Sequence, residues 1–383
     1  MAEVEGGFGV YVHWPYCLAK CPYCDFNSHV TQSVDHAAWR DAYAREIAWT
    51  AAQTPDRRVD TVFFGGGTPS LMEPETVHSV LEAIRAAWPM ADGAEVSLEA
   101  NPTSVEAGKF RAFRDAGVNR ISMGVQALND ADLRRLGRMH SVAEAQAAFD
   151  IARNAFDRVS FDLIYVRQGQ TLDAWREELQ QALDMAVDHL SLYQLTIEPG
   201  TRFGDLAERG KLRDLPPDDR AADMYDLTQQ ICTDAGMPAY EVSNHARPGA
   251  ESRHNLVYWR YGEYAGIGPG AHGRITRNGQ RIATDTAKAP QAWLERVAKL
   301  GHGVTVEDAL DPADQGTEYL LMALRLREGA SLRRYSALSG ATLPTAAIAE
   351  LVDARLLDQT GDKIAVTEAG RPVLNAVLRR LLT

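Results

Sequence analysis

The stretch Tyr11-Val-His-Trp-Pro-Tyr-Cys-Leu-Ala-Lys-Cys-Pro-Tyr-Cys24 decides how the rest of this chain is interpreted. It contains Cys17, Cys21 and Cys24, which are three of the four cysteines in 383 residues. Thiolates are soft ligands that hold iron in iron–sulfur clusters. A four-iron cluster has four corners, so three thiolates leave one iron open to another ligand. The prolines within the stretch disfavour a regular helix and favour a loop that can wrap around such a cluster.

Short β-branched runs alternate with longer amphipathic segments around this loop, from residue 9 to about residue 246. The pattern predicts six strand–helix units, with strands at residues 9–13, 59–64, 95–99, 118–126, 158–165 and 189–197. Such alternation is typical of parallel βαβ units. With a further strand at residues 239–242, it predicts an α/β fold built on a partial (β/α)6 TIM-like barrel. A doubly wound open sheet is the alternative, because periodicity does not determine closure.

The composition changes after about residue 311, where helical segments surround a short hairpin signal at residues 360–366. This arrangement predicts a smaller α+β domain that resembles a winged helix. Its nine basic and nine acidic side chains cancel, which disfavours DNA binding and favours a packing or partner domain. We therefore expect three parts, which are a core domain at 1–245, a connecting segment at 246–310 and a C-terminal domain at 311–383.

Charge and composition exclude several classes of protein. The formal net charge of −12 argues against a dedicated nucleic-acid binder, whose surface is normally basic. No apolar run reaches the length of a membrane span, and residues 1–9 lack the layout of a signal peptide. The few, closely spaced cysteines are no disulfide framework, so we expect a protein of the reducing cytoplasm.

Polar and glycine residues follow the other predicted strands as well. Gly65, Gly66, Gly67 and Thr68 come directly after an apolar strand, where glycines let the backbone approach a ligand. This is not a phosphate loop, because the lysine and serine or threonine that end such a loop are missing. Active groups of parallel α/β folds gather at the carboxyl ends of the strands. We therefore expect one composite site.

Charged side chains within these strands need partners, because a bare buried charge is costly. Glu99 and Asp162 are such carboxylates, and they could bind an ammonium group or ribose hydroxyls. The neutral Gln126 ends the strand between them. Arg138 could hold a carboxylate. A plain salt bridge between Glu99 and Arg138 inside the barrel remains the structural alternative.

The three cysteines could also bind zinc in place of an iron–sulfur cluster. Structural zinc normally takes four protein ligands, and His13 or His29 could supply the fourth beside the three thiolates. The fourth cysteine, Cys232, lies in an apolar helical segment and is expected to belong to the core.

Together these motifs resemble the radical S-adenosylmethionine superfamily over almost the whole chain. More narrowly, they resemble the branch that holds oxygen-independent coproporphyrinogen III oxidases and HemW-type haem chaperones. The resemblance implies that the three cysteines bind a 4Fe-4S cluster and that S-adenosylmethionine chelates its open iron. It further implies that the cofactor is held by the residues that match the family's binding positions: Tyr11, Tyr23, Gly66, Gly67, Thr68, Glu99, Gln126, Arg138 and Asp162.

Three features separate the two branches and favour the chaperones. Phe26 occupies the position where the oxidases have an extra cysteine, and about ten residues precede the first predicted strand, where the resemblance leads us to expect a longer extension in an oxidase. The motif His254-Asn-Leu-Val-Tyr-Trp259 matches the chaperone group, in which the histidine is implicated in haem binding. One departure is Val166-Arg-Gln168, where many relatives have Gly-Leu-Pro.

The surroundings of His254 strengthen the haem hypothesis. Arginines outnumber acids between residues 245 and 277, and aromatic side chains accumulate there. An imidazole for iron, flat apolar faces and guanidinium groups for propionates are the parts of a haem site. We expect His254 as an axial ligand, with His272, His245 and His13 as weaker candidates, and propionate partners among Arg247, Arg253, Arg260, Arg274 and Arg277.

The preferred functional interpretation is a haem chaperone that hands haem to an acceptor protein, for which the respiratory chain is one source. The expected partners include no nucleic acid and at most a peripheral membrane contact, and a homodimer remains open. On this interpretation the chain has no coproporphyrinogen oxidase activity. The alternatives are an oxygen-independent coproporphyrinogen III oxidase, another radical enzyme, and a zinc-stabilised interaction protein.

Overall fold

A computed structural model describes residues 4–383 of the chain, apart from the side chains of residues 104 and 105. An 11-stranded sheet forms its centre. The strands, numbered in chain order, are β1 Phe8–Trp14, β2 Val59–Gly66, β3 Met90–Ala100, β4 Arg120–Gln126, β5 Arg158–Tyr165, β6 His189–Gln194, β7 Asn244–Ala246, β8 Glu263–Ile267, β9 His272–Arg277, β10 Gln280–Thr286 and β11 Val304–Ala309. Their spatial order is β11-β10-β9-β8-β1-β2-β3-β4-β5-β6-β7.

Parallel pairing runs without interruption from β8 through β1 to β6. β1 therefore lies inside the sheet, and six of its seven residues are buried. β7 pairs antiparallel with β6, while β9 to β11 continue the opposite edge as an antiparallel meander. The sheet does not close, since its two edge strands are β7 and β11. An α/β fold with an incomplete barrel is thus confirmed.

Helices cover the sheet between the strands. Those of the first part are α1 His36–Gln53, α2 Pro74–Ala87, α3 Ser104–Ala107, α4 Phe110–Ala116, α5 Asp130–Arg135, α6 Val142–Ala155, α7 Leu172–Met185, α8 Arg202–Glu208 and α9 Asp218–Asp234. α10 Arg253–Trp259 and α11 Pro290–Leu300 follow. The start of α6 shows how locally these boundaries are encoded, because Ser141 and Glu144 form a reciprocal capping box there. Cys232 is fully buried on α9, in the core as expected.

The expected seventh strand is displaced. Residues 239–242 form no strand, apart from a single bridge between Ala239 and His245. β7, a few residues later, occupies that edge, and it runs antiparallel. The parallel strand that extends the barrel is β8, on the other side of β1, where the sequence analysis predicted no strand. A glycine is required there because a Cβ on Gly266 would lie 2.1 Å from the backbone oxygen of His272.

The last part of the chain has its own apolar core. It comprises α12 Pro312–Ala323, β12 Ala330–Ser331, α13 Leu332–Ser339, α14 Thr345–Asp353, β13 Leu357–Thr360, β14 Lys363–Val366 and α15 Leu374–Leu382. The strands pair in the order β12-β14-β13, so the hairpin of β13 and β14 forms the wing of a winged-helix-like domain. Domain boundaries at 245 and 310 stay a prediction. Within residues 4–383, no helix combines the length and apolar character needed to cross a membrane.

Candidate functional site

The cysteine loop leaves the carboxyl end of β1 and is attached to the glycine turn that follows β2. Gly67 N donates to Trp14 O at 2.7 Å, and Thr68 N donates to Tyr16 O at 2.9 Å. A Cβ on Gly67 would lie 2.7 Å from Tyr16 O, so only glycine permits this approach. The triple glycine therefore holds the loop that carries the cysteines, in addition to facing the cavity beside it.

Cys17, Cys21 and Cys24 are half-buried free thiols on this loop. Two of them accept hydrogen bonds from predicted site residues: Thr68 Oγ1 lies 3.4 Å from Cys17 Sγ, and Arg138 Nη1 lies 3.4 Å from Cys21 Sγ. Burial raises the pKa of the Cys17 thiol, and the Thr68 hydroxyl offsets part of that rise. Hydroxyl and guanidinium donors aimed at sulfur are suited to thiolates that carry negative charge.

Charged side chains from three neighbouring segments meet in front of the loop. Glu99 Oε2 accepts from Gly66 N at 3.2 Å, and Asp162 accepts from Gln126 Nε2. Burial and the nearby Asp162 raise the pKa of Glu99 to about 8. Burial raises the pKa of Asp162 to about 6, although Arg138 opposes the rise. These carboxyl groups thus lack enough positive charge around them.

Tyr23 connects the cysteine loop to Gln126 and Asp162 through hydrogen bonds. Its hydroxyl donates to Gln126 Oε1 at 3.2 Å, and Gln126 in turn bonds Asp162. Gln126 adopts a φ of +73°, a left-handed conformation that costs energy for a residue with a side chain. The end of β4 is therefore bent so that the Gln126 amide reaches both neighbours.

A cavity of about 700 Å³ connects all of these groups. Its volume lies within the range of roughly 300–1,000 Å³ that is typical of small-molecule sites. Cys17, Cys21 and Cys24 lie along one side of it, and the carboxyl ends of β2 to β6 form the other sides. Exposed apolar side chains also line it: Leu18, Phe26, Met139, Tyr193 and Val242. The structure thus brings the predicted residues together around one space, with the exception of Tyr11 and His254.

The residues present fit the two cofactors that the resemblance implies. Three thiols at the edge of the cavity suit the three protein corners of a four-iron cluster. Arg138 bonds only neutral oxygens and a cysteine sulfur, and among the described residues its buried Nε has no partner. Within residues 4–383 Arg138 makes no direct ion pair with a carboxylate, and Glu99 and Asp162 make none with a cationic side chain, although Arg138 and Asp162 are close enough to influence each other's pKa. The carboxylate and ammonium of an amino acid would supply such partners to both.

Tyr11 lies beneath this space and does not line it. Its hydroxyl bonds His13 Nδ1 at 3.0 Å, and His13 Nε2 bonds Asn27 O at 2.9 Å. Both nitrogens of the His13 ring are thus engaged, so His13 is not free to complete a zinc site with the cysteines. In the described part of the chain, no group of three or more His, Cys, Asp or Glu side chains converges on a single-ion site.

His254 lies at the opposite end of the barrel. It is on α10, is 1% exposed and stacks on Phe63. Its Nδ1 bonds Thr61 Oγ1 at 2.8 Å and its Nε2 bonds Tyr258 Oη at 2.8 Å. Burial lowers the pKa of His254 to about 3. In this conformation no ring nitrogen is available to iron, and the ring is part of the core.

The arginines near His254 in sequence have other partners. Arg260 pairs with Glu328 at 2.8 Å, Arg274 with Glu318 at 3.0 Å, and Arg277 with Glu307 at 3.1 Å. In this conformation these three arginines are paired with carboxylates of the protein, and the pairing of one or more of the five arginines with haem propionates stays a prediction. The first two fasten the C-terminal domain to the segment around β8, which explains the local excess of positive charge. Of the weaker histidine candidates, His272 is exposed and pairs with Asp285, and His245 is buried on β7.

The unusual loop Val166-Arg-Gln168 has a structural explanation. Arg167 is buried and bonds both Asp132 and Glu178, so its charge is compensated within the protein. Val166 has a φ of +61°, which explains why a glycine would suit this position. Val166, Arg167 and Gln168 do not line the cofactor cavity.

One residue at the centre of the site was missed by the sequence interpretation. Asn101 lines the cavity and bonds both Thr68 and Arg138. Its position just after β3, two residues beyond Glu99, was the available signal, because polar residues at the carboxyl ends of strands mark the site.

Comparisons with known proteins agree with this geometry. Residues 11–182 match the model of the radical SAM superfamily, and residues 310–373 match that of the HemN C-terminal domain. The solved structure of coproporphyrinogen III oxidase (HemN) from Escherichia coli, a radical SAM enzyme, is similar in fold. It has a TM-score of 0.81 and 24% identity, and the match covers 98% of this chain and 90% of that chain.

Several curated proteins are more similar in sequence. "Heme chaperone HemW" of Escherichia coli is 36% identical over 97% of this chain and 97% of its own. The Mycobacterium tuberculosis protein of that name is 39% identical, over 98% and 95% of the two chains. "Radical S-adenosyl methionine domain-containing protein 1, mitochondrial" of Danio rerio is 41% identical, over 84% and 73%. This chain therefore belongs to the radical SAM superfamily and, within it, to the HemW family of haem chaperones.

Proposed function

We propose that the protein is a haem chaperone that carries a 4Fe-4S cluster and S-adenosylmethionine and transfers haem to an acceptor protein. The observation that carries this proposal is the similarity to proteins named haem chaperone over 95% or more of their length. Phe26 adds support, because it is exposed at the cavity where the resemblance predicts a cysteine in the oxidases.

In this proposal Cys17, Cys21 and Cys24 hold the cluster. Arg138 binds the carboxylate of S-adenosylmethionine, and Glu99 and Asp162 bind its ammonium and ribose groups. Tyr23 and Gln126 position Asp162, while Gly66, Gly67 and Thr68 let the cofactor approach the backbone. Tyr11 acts from below, by packing under the glycine turn. When bound, the cluster and S-adenosylmethionine supply one-electron chemistry at an open iron.

His254 remains the proposed haem ligand, and its burial adds a condition. The ring must break its bonds to Thr61 and Tyr258 before either nitrogen can reach iron. A haem titration of His254→Ala, followed by the Soret band, tests this step, with the exposed His272→Ala as the matched control. An unchanged spectrum and affinity in folded His254→Ala would remove His254 from the ligands.

One anaerobic experiment separates the chaperone from the oxidase. The cluster is reconstituted, dithionite and S-adenosylmethionine are added, and either coproporphyrinogen III or haem is supplied. We expect stoichiometric haem uptake, release to an acceptor protein and no decarboxylated porphyrinogen. Formation of the decarboxylated product would establish the oxidase instead.

We further propose that the protein acts in the cytoplasm, where its free thiols stay reduced. The acceptor is expected to be a haem protein, with the respiratory chain as one source. A homodimer and a peripheral membrane contact stay predictions, which sedimentation and vesicle binding can test.

A further inference from the structure

We propose that Asn101 is a positioning residue that fixes two hydrogen-bond donors on the cysteine sulfurs and thereby sets the reduction potential of the cluster. This inference rests on the proposed function, because it concerns the cluster bound by the three cysteines. It adds a residue that acts through Thr68 and Arg138 and touches neither the iron nor the sulfur.

The contacts form a continuous path between two cysteines. Asn101 Nδ2 lies 3.1 Å from Thr68 Oγ1, which lies 3.4 Å from Cys17 Sγ. On the other side, Asn101 Oδ1 lies 2.6 Å from Arg138 Nη2, and Arg138 Nη1 lies 3.4 Å from Cys21 Sγ. One side-chain amide thus joins the donors of two different sulfurs.

The chemistry of the partners fixes the direction of every bond in this path. A guanidinium group can only donate, so the oxygen of the Asn101 amide must face Arg138. The amide nitrogen then faces Thr68 and donates to its hydroxyl oxygen. A cluster-bound cysteine sulfur carries no proton and can only accept, so the Thr68 hydroxyl donates its proton to the sulfur of Cys17. Asn101 therefore orients both donors towards sulfur at once.

The backbone of Asn101 is itself held in place by Glu106. Its backbone N–H donates to Glu106 Oε2 at 2.9 Å, and Glu106 is 1% exposed. Arg138 has a second anchor in Gly124 O, at 2.8 Å. Such a network keeps the donors at fixed distances, which is how residues outside the ligand set tune a metal centre.

The direction of the effect follows from charge. One-electron reduction adds negative charge to a cluster, and hydrogen bonds to its sulfurs stabilise that charge. Loss of Asn101 frees the Thr68 hydroxyl to turn away and leaves Gly124 O as the remaining anchor of Arg138 Nη2, so the two donors are held less firmly and the reduced cluster loses stabilisation. The potential should then become more negative while the three cysteines still bind the cluster.

The test compares the reconstituted wild-type protein with Asn101→Ala in a redox titration followed by EPR, without S-adenosylmethionine. At the potential where half of the wild-type cluster is reduced, we expect the ratio of reduced to oxidised cluster to fall about tenfold in the variant. For a one-electron couple this is a shift of about 59 mV. Asn101→Ser, a milder change that also cannot span both partners, should shift the potential in the same direction.

Asn119→Ala is the matched control. Asn119 also makes two hydrogen bonds, to Val96 N and Ala94 O at 2.8 Å each, but near the opposite end of β3. It should lower stability without moving the potential. In a Thr68→Val and Arg138→Met background, Asn101→Ala should have no further effect, because its two partners are gone.

The outcomes separate this inference from the proposed function. A wild-type protein that binds no cluster would overturn the proposed function. A wild-type cluster whose potential is unchanged in Asn101→Ala and Asn101→Ser would overturn the role of Asn101 alone. A shift of equal size in Asn119→Ala would show that general loosening of the fold is responsible, and would also overturn it.

Discussion

The two ends of the incomplete barrel treat their ionisable side chains differently. At the carboxyl end, Arg138, Glu99 and Asp162 face a cavity, and their charges are poorly matched by the protein. At the amino end, His254 is enclosed by Thr61, Tyr258 and Phe63, and both of its ring nitrogens are bonded. Groups left incomplete by the protein indicate a ligand, whereas a satisfied, buried ring indicates packing.

The largest expected effect concerns the carboxyl end. Cys17→Ser should abolish the 4Fe-4S cluster, because serine replaces a soft thiolate with a hard and weakly acidic hydroxyl. Iron and labile sulfide analysis after anaerobic reconstitution measures the effect. Cys232→Ala, a change at a fully buried cysteine on α9, is the matched control and should keep full cluster content. Equal iron and sulfide in both variants would contradict the assignment of the loop.

At the amino end, His254→Ala should destabilise the protein itself. The change leaves a cavity beneath Phe63 and removes the partners of Thr61 and Tyr258, at a cost of about 2–4 kcal/mol in the free energy of unfolding. Urea denaturation without haem measures it. The exposed His272→Ala should stay within about 0.5 kcal/mol. An equally stable His254→Ala would show that the ring is not needed for packing and would favour a purely haem-binding role.

Low pH should also reveal that His254 is a buried, neutral part of the core. The pKa of His254 is lowered to about 3 by burial, against 6.5 in an unfolded chain, so the unfolded state binds the extra proton. Stability attributable to this group therefore falls as pH drops below 6.5, and the loss continues to about pH 3. From these two pKa values, proton linkage at His254 lowers the free energy of unfolding by about 2 kcal/mol at pH 5 relative to pH 8. His254→Gln should reduce the steepness of this decline in denaturation curves, and parallel curves would contradict the burial of a neutral ring.

The sequence was sufficient to group the residues of the carboxyl end but not to locate the contacts of the amino end, for physical reasons. The residues of the carboxyl end follow strands, and parallel strands bring such positions together, so strand periodicity was sufficient to group Gly66, Glu99 and Asp162. The partners of Arg260 and Arg274 lie in the C-terminal domain, more than forty residues away along the chain. No local sequence pattern predicts an ion pair between residues so far apart along the chain. Asn101 could be located from strand periodicity, but the direction of its bonds required the structure.

The smallest expected effect concerns Arg260, at the amino end of the barrel. Arg260 is one of the five candidate partners for haem propionates, and the structure pairs it with Glu328 through two bonds of 2.8 Å each. Because both side chains are partly exposed, Arg260→Ala should cost only about 0.5–1 kcal/mol of stability and leave haem affinity unchanged. Haem titration and urea denaturation of the same preparation measure both quantities. If haem affinity falls while Glu328→Gln, which breaks the same pair, leaves it intact, Arg260 contacts haem in a conformation where α10 has opened. If both variants bind haem as the wild type does, the positive charge around His254 serves to attach the C-terminal domain.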